Sequence, residues 1–178
     1  KYAELALRLS PEEDSSSHAM AAVTLGMAYW SHGDLRGAEK ALTVWINYCQ
    51  RSGNITFASV TGEYLAGIIS AQGRLRDAEK TYKQSIQLAT AHHPSMRHVM
   101  AGLHLGLGLL YHERGDEESA ARHLRASAEL GEQAFVDWPS RWRVAQARLK
   151  AAEGDLSTAL ELLEEARRRF VKTTAPDF

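Results

Sequence analysis

The stretch GDLRGAEKAL, Gly33 to Leu42, occurs in four related versions along this chain of 178 residues. GRLRDAEKTY begins at Gly73, GDEESAARHL at Gly115 and GDLSTALELL at Gly154, so the spacings are 40, 42 and 39 residues. A period of this length is typical of an array of small supersecondary units. The recurring phrase therefore indicates the fold class and sets the register for the rest of the sequence.

Each phrase predicts a corner between two helices. Its glycine suits the left-handed residue that ends a helix, and Asp34, Asp116 and Asp155 suit the N-cap of the next helix. Arg74 cannot cap in this way, so the second corner is the weakest match. Apolar residues recur at helical spacing on both sides of the corners, and no stretch shows the sustained alternation of a strand. We predict nine helices, joined by short loops such as SGN at Ser52, over 1–9, 16–32, 34–51, 55–72, 75–91, 95–113, 116–131, 138–153 and 155–171.

Small residues stand twelve positions before each corner alanine. Two helices of a hairpin approach closely only where their side chains are small. The pairs are Gly26 and Ala38, Ala66 and Ala78, Gly108 and Ala120, and Ala147 and Ala159. A large residue four positions after each of these alanines is expected to fill the gap to the next unit. These residues are Leu42, Tyr82, Leu124 and Leu163.

Composition excludes several classes of protein. The formal net charge of −1 gives no bulk positive field that would attract nucleic acid or an anionic membrane. Cys49 is the only cysteine, which excludes an internal disulfide and favours a reducing compartment, so we expect a cytoplasmic protein. The longest apolar run, Ala101 to Leu110, is too short to span a membrane. Because Lys1 is not preceded by an initiator Met or a signal-peptide pattern, we expect a piece of a longer protein.

The order Leu-Gly-x-x-Tyr, Gly, Ala and a bulky residue resembles the tetratricopeptide repeat. The phrases LGMAYWSHGDLRGAEKAL, AQGRLRDAEKTYKQSIQLA and LGLGLLYHERGDEESAARHL are similar to the helical-repeat sensor domain of large ATP-dependent LuxR-type transcription regulators, of which the maltose regulator is one. The chain departs from the repeat pattern in its longer period and at Ala22, Gly62, His104 and Arg143, where an early aromatic residue is usual. The resemblance implies an all-α fold, a right-handed superhelix of about four antiparallel helix pairs, as a single domain over residues 1–178.

The same resemblance implies that the first helix of each pair lines a concave groove. It assigns to this groove Met20, Val23, Met27 and Trp30 in the first repeat, Glu63 and Ser70 in the second, Leu105, Leu109 and His112 in the third, and Arg141, Val144 and Arg148 in the fourth. Such a groove is apolar at its N-terminal end and carries two arginines near its C-terminal end, where they could bind a carboxylate or phosphate. Trp30 is the strongest candidate for a binding anchor. For each of these residues the alternative is ordinary packing between helices.

By resemblance, the function is that of a sensing or interaction domain that holds an inducer or a regulatory protein in its groove. An ATP-binding module would precede this chain and a helix-turn-helix module would follow it, so within the chain we expect no cofactor. We expect no direct contact with nucleic acid and none with a membrane, but self-association through the ends of the array. The alternative is a tetratricopeptide scaffold that binds a peptide or partner helix without sensing a small molecule.

The sequence carries no recognisable catalytic motif, which argues against an enzyme. The sequence has no Gly-Lys dipeptide for a phosphate-binding loop and no HExxH zinc motif. His92, His93, His98 and His104 form the densest histidine group, but their spacing does not suit a metal site, and we interpret them as surface and loop residues. The run EEARRR, which begins at Glu164, is interpreted as ion pairs along one helix.

Overall fold

The computed structural model describes residue 5 and residues 15–92, 96–131 and 138–174, which form eight helices and no strand. The helices are α1 (Ser15–Ser31), α2 (Leu35–Arg51), α3 (Ile55–Ala71), α4 (Leu75–His92), α5 (Arg97–Glu113), α6 (Glu117–Gly131), α7 (Trp138–Ala152) and α8 (Leu156–Thr174). The all-α prediction is confirmed, and every predicted helix from 16–32 onward is found with small shifts at its ends. The predicted helix over 1–9 lies outside the described residues apart from Leu5.

The helices fall into two compact units, residues 1–96 and residues 97–178. In the first unit α1 packs on α2, α2 on α3, and α3 on α4. In the second unit α5 packs on α6, α7 on α8, and α5 also contacts α7. The prediction of a single domain over 1–178 stays a prediction.

Five corners share one backbone geometry. Their glycines, Gly33, Gly53, Gly73, Gly115 and Gly154, all have φ between 73° and 85°. At the first corner the Gly33 N–H donates to the Trp30 carbonyl at 3.0 Å, and the Asp34 N–H donates to the Tyr29 carbonyl at 2.9 Å. This pair of bonds is the Schellman motif, which satisfies the last carbonyls of a helix. The corner at Gly53 shows that the loop SGN is built in the same way as the four recurring phrases.

The three predicted aspartate caps are confirmed. The carboxylate of Asp34 accepts from the Gly37 N–H at 2.9 Å. Asp116 and Asp155 accept from the N–H groups of the third residue after them at 3.0 and 3.1 Å. Each bond satisfies one of the N–H groups that the first turn of a helix leaves without an intrahelical acceptor.

Arg74 fastens the second corner to α2 instead of capping a helix. Its guanidinium donates to Glu39 at 2.8 Å and to Asp77 at 2.9 Å. Gln72 donates to the same Glu39 carboxylate at 2.9 Å and to the Leu35 carbonyl at 3.3 Å. The Glu39 carboxylate thus accepts hydrogen bonds from two side chains of the corner that follows α3.

We expect Glu39→Gln to destabilise the first unit more at neutral pH than at acid pH. Burial raises the pKa of Glu39, but the hydrogen bonds from Arg74 and Gln72 outweigh it, so the net pKa lies below the usual value. Since the folded state lowers this pKa, the carboxylate contributes its stability above the unfolded-state pKa, and that contribution disappears as the pH falls through the folded-state pKa. Urea unfolding of the parent protein and of Glu39→Gln, at pH 7 and near pH 3, measures the difference in their free energies of unfolding. A gap that stays constant between the two pH values would contradict the role of the ionised carboxylate.

Gly26 and Gly108, the two glycines at the predicted register position, lie where the helices of a hairpin approach closely. A Cβ placed on Gly26 would lie 2.6 Å from Leu42 Cδ2, and one on Gly108 would lie 2.8 Å from Leu124 Cγ. Leu42 is fully buried and also packs in one cluster with Ile68 of α3. Leu42 therefore fills the space between α1 and α2 as well as the gap between this hairpin and α3.

Candidate functional site

A groove of about 500 Å³ opens among α1, α2 and α3 of the first unit. It is lined by Ser16, Met20, Val23, Met27, Leu42, Trp45, Tyr48, Asn54, Phe57, Val60, Thr61 and Tyr64. None of these residues has a charged side chain. A concave, mostly apolar surface with a few polar groups is the usual form of a site for a small ligand.

The floor of the groove belongs to the core of the unit. α2 places apolar residues every three or four positions, so one of its faces is buried between α1 and α3. Leu42 is fully buried and Trp45 is 7% exposed. The Trp45 ring stacks on Tyr48 with centroids 5.8 Å apart, and Phe57 meets it edge-on at 6.2 Å. Because the floor packs as a protein interior does, it presents a preformed surface to a ligand.

The rim of the groove exposes large apolar side chains. Met20 is 57% exposed, Met27 is 40% and Phe57 is 54%, whereas Val23 is partly buried between them. Large apolar groups around a concavity mark binding surfaces more often than isolated surface positions do. The two methionines are unbranched and polarisable, so they can adapt to ligands of different shapes.

Polar groups at the groove can orient a ligand. Tyr48, Tyr64, Thr61 and Ser16 are the residues of the lining that carry a hydroxyl group. Asn54 stands at the N-cap position of α3, but its side chain makes no capping bond there. Asn54 is also a lining residue, and its amide carries both donors and acceptors.

Trp30 does not line the groove. It is 40% exposed, and its ring lies 5.6 Å from that of Tyr64, at an angle of 56°. Tyr64 is the member of this pair that contributes to the lining. The structure therefore brings Met20, Val23 and Met27 together in the groove and leaves Trp30 beside it.

The structure corrects the exposure expected for Glu63 and Leu105. Glu63 is 8% exposed and Leu105 is 3% exposed, so neither offers its side chain to a groove. The reason is packing on two sides, since α3 contacts both α2 and α4, and α5 contacts both α6 and α7. Ser70 is partly buried.

The remaining candidates lie in the second unit and are largely engaged by neighbouring side chains. Arg148 of α7 forms an ion pair with Glu113 of α5, so its charge is already matched within the unit. Nδ1 of His112 lies 3.0 Å from the carboxylate of Glu117. Leu109 and Arg141 are partly buried, and Val144 is 40% exposed. That these residues bind a ligand stays a prediction.

Sequence reasoning missed the second wall of the groove, formed by Phe57, Val60, Thr61 and Tyr64. A signal for part of it was present, because Val60 occupies the register position of Met20 one repeat later. Phe57 and Tyr64 lie one turn on either side of Val60 and extend the same stripe along α3.

A histidine pair also escaped the sequence analysis. Nδ1 of His104 in α5 lies 2.9 Å from Nδ1 of His123 in α6, and His123 stacks on Tyr111. When both rings are neutral, one of the two Nδ1 atoms must carry a proton and donate it to the other, which accepts. Burial lowers the pKa of His104. The pair joins α5 and α6, the two helices of the third hairpin. The interpretation of His104 as a surface residue is thereby corrected.

Two kinds of feature are absent from the described residues. They contain no group of three or more His, Cys, Asp or Glu side chains arranged to hold a metal ion. Within the same residues, no helix combines the length and apolar character needed to cross a membrane.

The family model described as the MalT-like TPR region matches residues 1–176. The chain belongs to this family. The match confirms the resemblance to the maltose regulator's helical repeats that the corner phrases predict. No curated protein matches the chain.

Solved structures of other repeat proteins are similar to this chain in fold. The crystal structure of BtubC (BKLC) from P. vanneervenii has a TM-score of 0.65 and 16% identity, and the match covers 99% of this chain and 72% of that one. A kinesin-light-chain protein of Podosopora anserina with nearly identical TPR-like repeats has a TM-score of 0.58 and 19% identity, with 97% and 84% covered. At these identities the likeness shows the fold alone, and it confirms that the helix pairs are TPR-like repeats.

Proposed function

We propose that this MalT-like TPR region is the sensing domain of a LuxR-type ATP-dependent transcription regulator, and that the groove among α1, α2 and α3 binds an uncharged, apolar effector. One observation carries the proposal. Met20, Met27 and Phe57 are exposed around a buried aromatic floor, and no charged side chain lines the groove. The family match supports the regulator as the context of this groove.

The dimensions of the groove favour a small molecule over a long peptide or a partner helix. Its volume of about 500 Å³ lies within the range of roughly 300–1,000 Å³ that small-molecule sites occupy. A partner helix would need apolar anchors over several turns, but the residues of α1 that line the groove extend from Ser16 only to Met27. The stacked aromatic floor and the adaptable rim together suit a flat or compact apolar ligand.

Binding in this groove can act on the repeat as a whole. The lining comes from three successive helices, so a ligand that contacts all three stabilises their mutual packing. A ligand that binds only this arrangement shifts the population toward it, by an amount set by its concentration relative to its Kd. This coupling gives the groove a physical route from ligand binding to the conformation of the regulator.

The groove is tested with N-phenyl-1-naphthylamine, an uncharged apolar fluorophore. We expect it to bind, and we expect Met27→Glu and Phe57→Glu to weaken binding at least about tenfold, because each places a charge against an apolar ligand. Val44→Glu is the matched control, since Val44 is 39% exposed on α2 and lies outside the lining. Trp30→Ala is expected to change the Kd by less than about threefold, since Trp30 stands beside the groove. Equal binding by all four variants and the parent would exclude this groove as the site.

Two further measurements separate the parts of the proposal. Displacement of the fluorophore by an amphipathic helical peptide, but by no member of a library of uncharged small molecules, would favour the scaffold alternative. The coding sequence on either side of this chain should encode a phosphate-binding loop upstream and a helix-turn-helix downstream. Absence of both would refute the regulator assignment without affecting the groove.

A further inference from the structure

Aromatic side chains are concentrated around the groove of the first unit. Four of its lining residues carry an aromatic ring, namely Trp45, Tyr48, Phe57 and Tyr64. They come from two helices, since α2 supplies the first two and α3 supplies the other two. Rings from separate helices therefore meet around one concave surface.

The repeat architecture does not by itself require these rings. Counted from the corner glycine of each repeat, three of the four positions hold no aromatic residue in any other repeat. The other repeats carry Ser85, Ser127 and Ala166 in place of Trp45, Leu88, Leu130 and Arg169 in place of Tyr48, and Thr24, Gly106 and Ala145 in place of Tyr64. At the position of Phe57, only Trp138 provides another ring. Because the other hairpins form without this cluster, the repeat fold does not account for it.

The rings of the cluster pack on one another and still offer surface to a ligand. Trp45 stacks on Tyr48 and meets Phe57 edge-on, while Phe57 is 54% exposed and Tyr48 is partly exposed. Aromatic rings in offset-stacked or edge-to-face contact gain affinity beyond that from the area they bury. A planar aromatic ligand would extend this packing by one ring, whereas a saturated ligand would contribute burial of area alone.

The methionines of the rim favour the same class of ligand. Met20 and Met27 are exposed residues of the lining. A thioether sulfur makes favourable contacts with an aromatic ring, often at the edge of the ring. A ligand ring in the groove can therefore be contacted by aromatic side chains of α2 and α3 and by a methionine of α1.

We propose that the effector of this groove is a planar aromatic compound whose ring packs against Phe57 and Tyr48. This inference rests on the proposed function, because it names the class of the uncharged effector that the groove binds. Phe57 and Tyr48 are then specificity-determining residues, which select an aromatic ring over an apolar molecule of the same size.

The test compares 2-naphthol with decahydro-2-naphthol, which share one carbon skeleton and one hydroxyl group and are both uncharged at pH 7. Isothermal titration calorimetry with the parent chain measures the Kd of each. Burial of apolar area alone predicts that the saturated compound binds at least as tightly as the aromatic one. We expect 2-naphthol to bind at least about fivefold more tightly, since each aromatic contact adds about two- to tenfold in affinity.

Two variants locate the origin of this preference. Phe57→Leu and Tyr48→Leu each remove a ring but keep an apolar side chain. We expect each to reduce the preference for 2-naphthol by at least about twofold and to change the Kd of decahydro-2-naphthol by less than about twofold. Phe170→Leu is the matched control, because Phe170 is also 54% exposed but lies on α8 in the second unit. It should leave the preference unchanged.

Equal affinities for the two compounds in the parent chain, or a preference that survives in both Phe57→Leu and Tyr48→Leu, would overturn the aromatic class. If Met27→Glu still weakens binding of both compounds in that case, the groove stays the site and only this inference fails. Failure of both compounds to bind, or binding that Met27→Glu leaves intact, would overturn the groove as the site as well.

Discussion

Leu42→Ala should destabilise the first unit by about 2–5 kcal/mol, the usual cost of removing a buried leucine. Leu42 is fully buried, and it lies over Gly26 of α1 while it packs with Ile68 of α3. Truncation leaves a cavity where three helices meet. Since Leu42 also forms part of the groove floor, the same variant should weaken binding of an apolar ligand.

Leu163→Ala is the matched control. Leu163 holds the same register position in α8 but is 44% exposed, so its loss should cost less than about 1 kcal/mol in the monomer. Urea unfolding followed by tryptophan fluorescence and circular dichroism compares the two, and amide hydrogen exchange locates the weakened unit. If both variants lost the same free energy of unfolding, burial would not determine the contribution of the leucine at this register position.

The helix pairs could be predicted from sequence because their determinants are local. A glycine with positive φ and an aspartate that caps the next helix act within a few residues, as Gly33 and Asp34 show. The second corner was the weakest match because its stabilising partner is distant. Arg74 binds Glu39, 35 residues earlier, and no local rule relates these two positions.

The groove was predicted only in part, because exposure depends on how many helices surround a position. Met20, Val23 and Met27 line it as the repeat register predicts. Glu63 is buried at the register position of Val23, because α3 has neighbours on both sides. Arg148 was a candidate for binding a carboxylate or phosphate of a ligand, but its guanidinium already forms an ion pair with Glu113, which lies 35 residues earlier. The repeat register gives the position of a residue on its helix, whereas the side chains packed around that residue determine whether it can bind a ligand.

Gly26→Ala and Gly67→Ala should change stability in opposite directions. Both glycines lie within the first helix of a pair, where alanine is favoured by about 1 kcal/mol. At Gly26 the added Cβ would lie 2.6 Å from Cδ2, 2.8 Å from Cγ and 3.3 Å from the backbone nitrogen of the fully buried Leu42. Overpacking of this kind should outweigh the helix preference and give a net loss of about 1–3 kcal/mol.

At Gly67 the nearest atom is the Tyr82 hydroxyl oxygen at 3.8 Å, an ordinary contact, so alanine should stabilise by about 0.5–1 kcal/mol. Chemical unfolding of both variants and of the double variant Gly26→Ala with Leu42→Ala measures these changes. Since truncation of Leu42 removes Cγ and Cδ2, the two side-chain atoms that the new methyl group meets, the double variant should be more stable than the sum of the single losses predicts. If Gly26→Ala proved as stabilising as Gly67→Ala, the close approach of α1 and α2 could not be what requires glycine at this position.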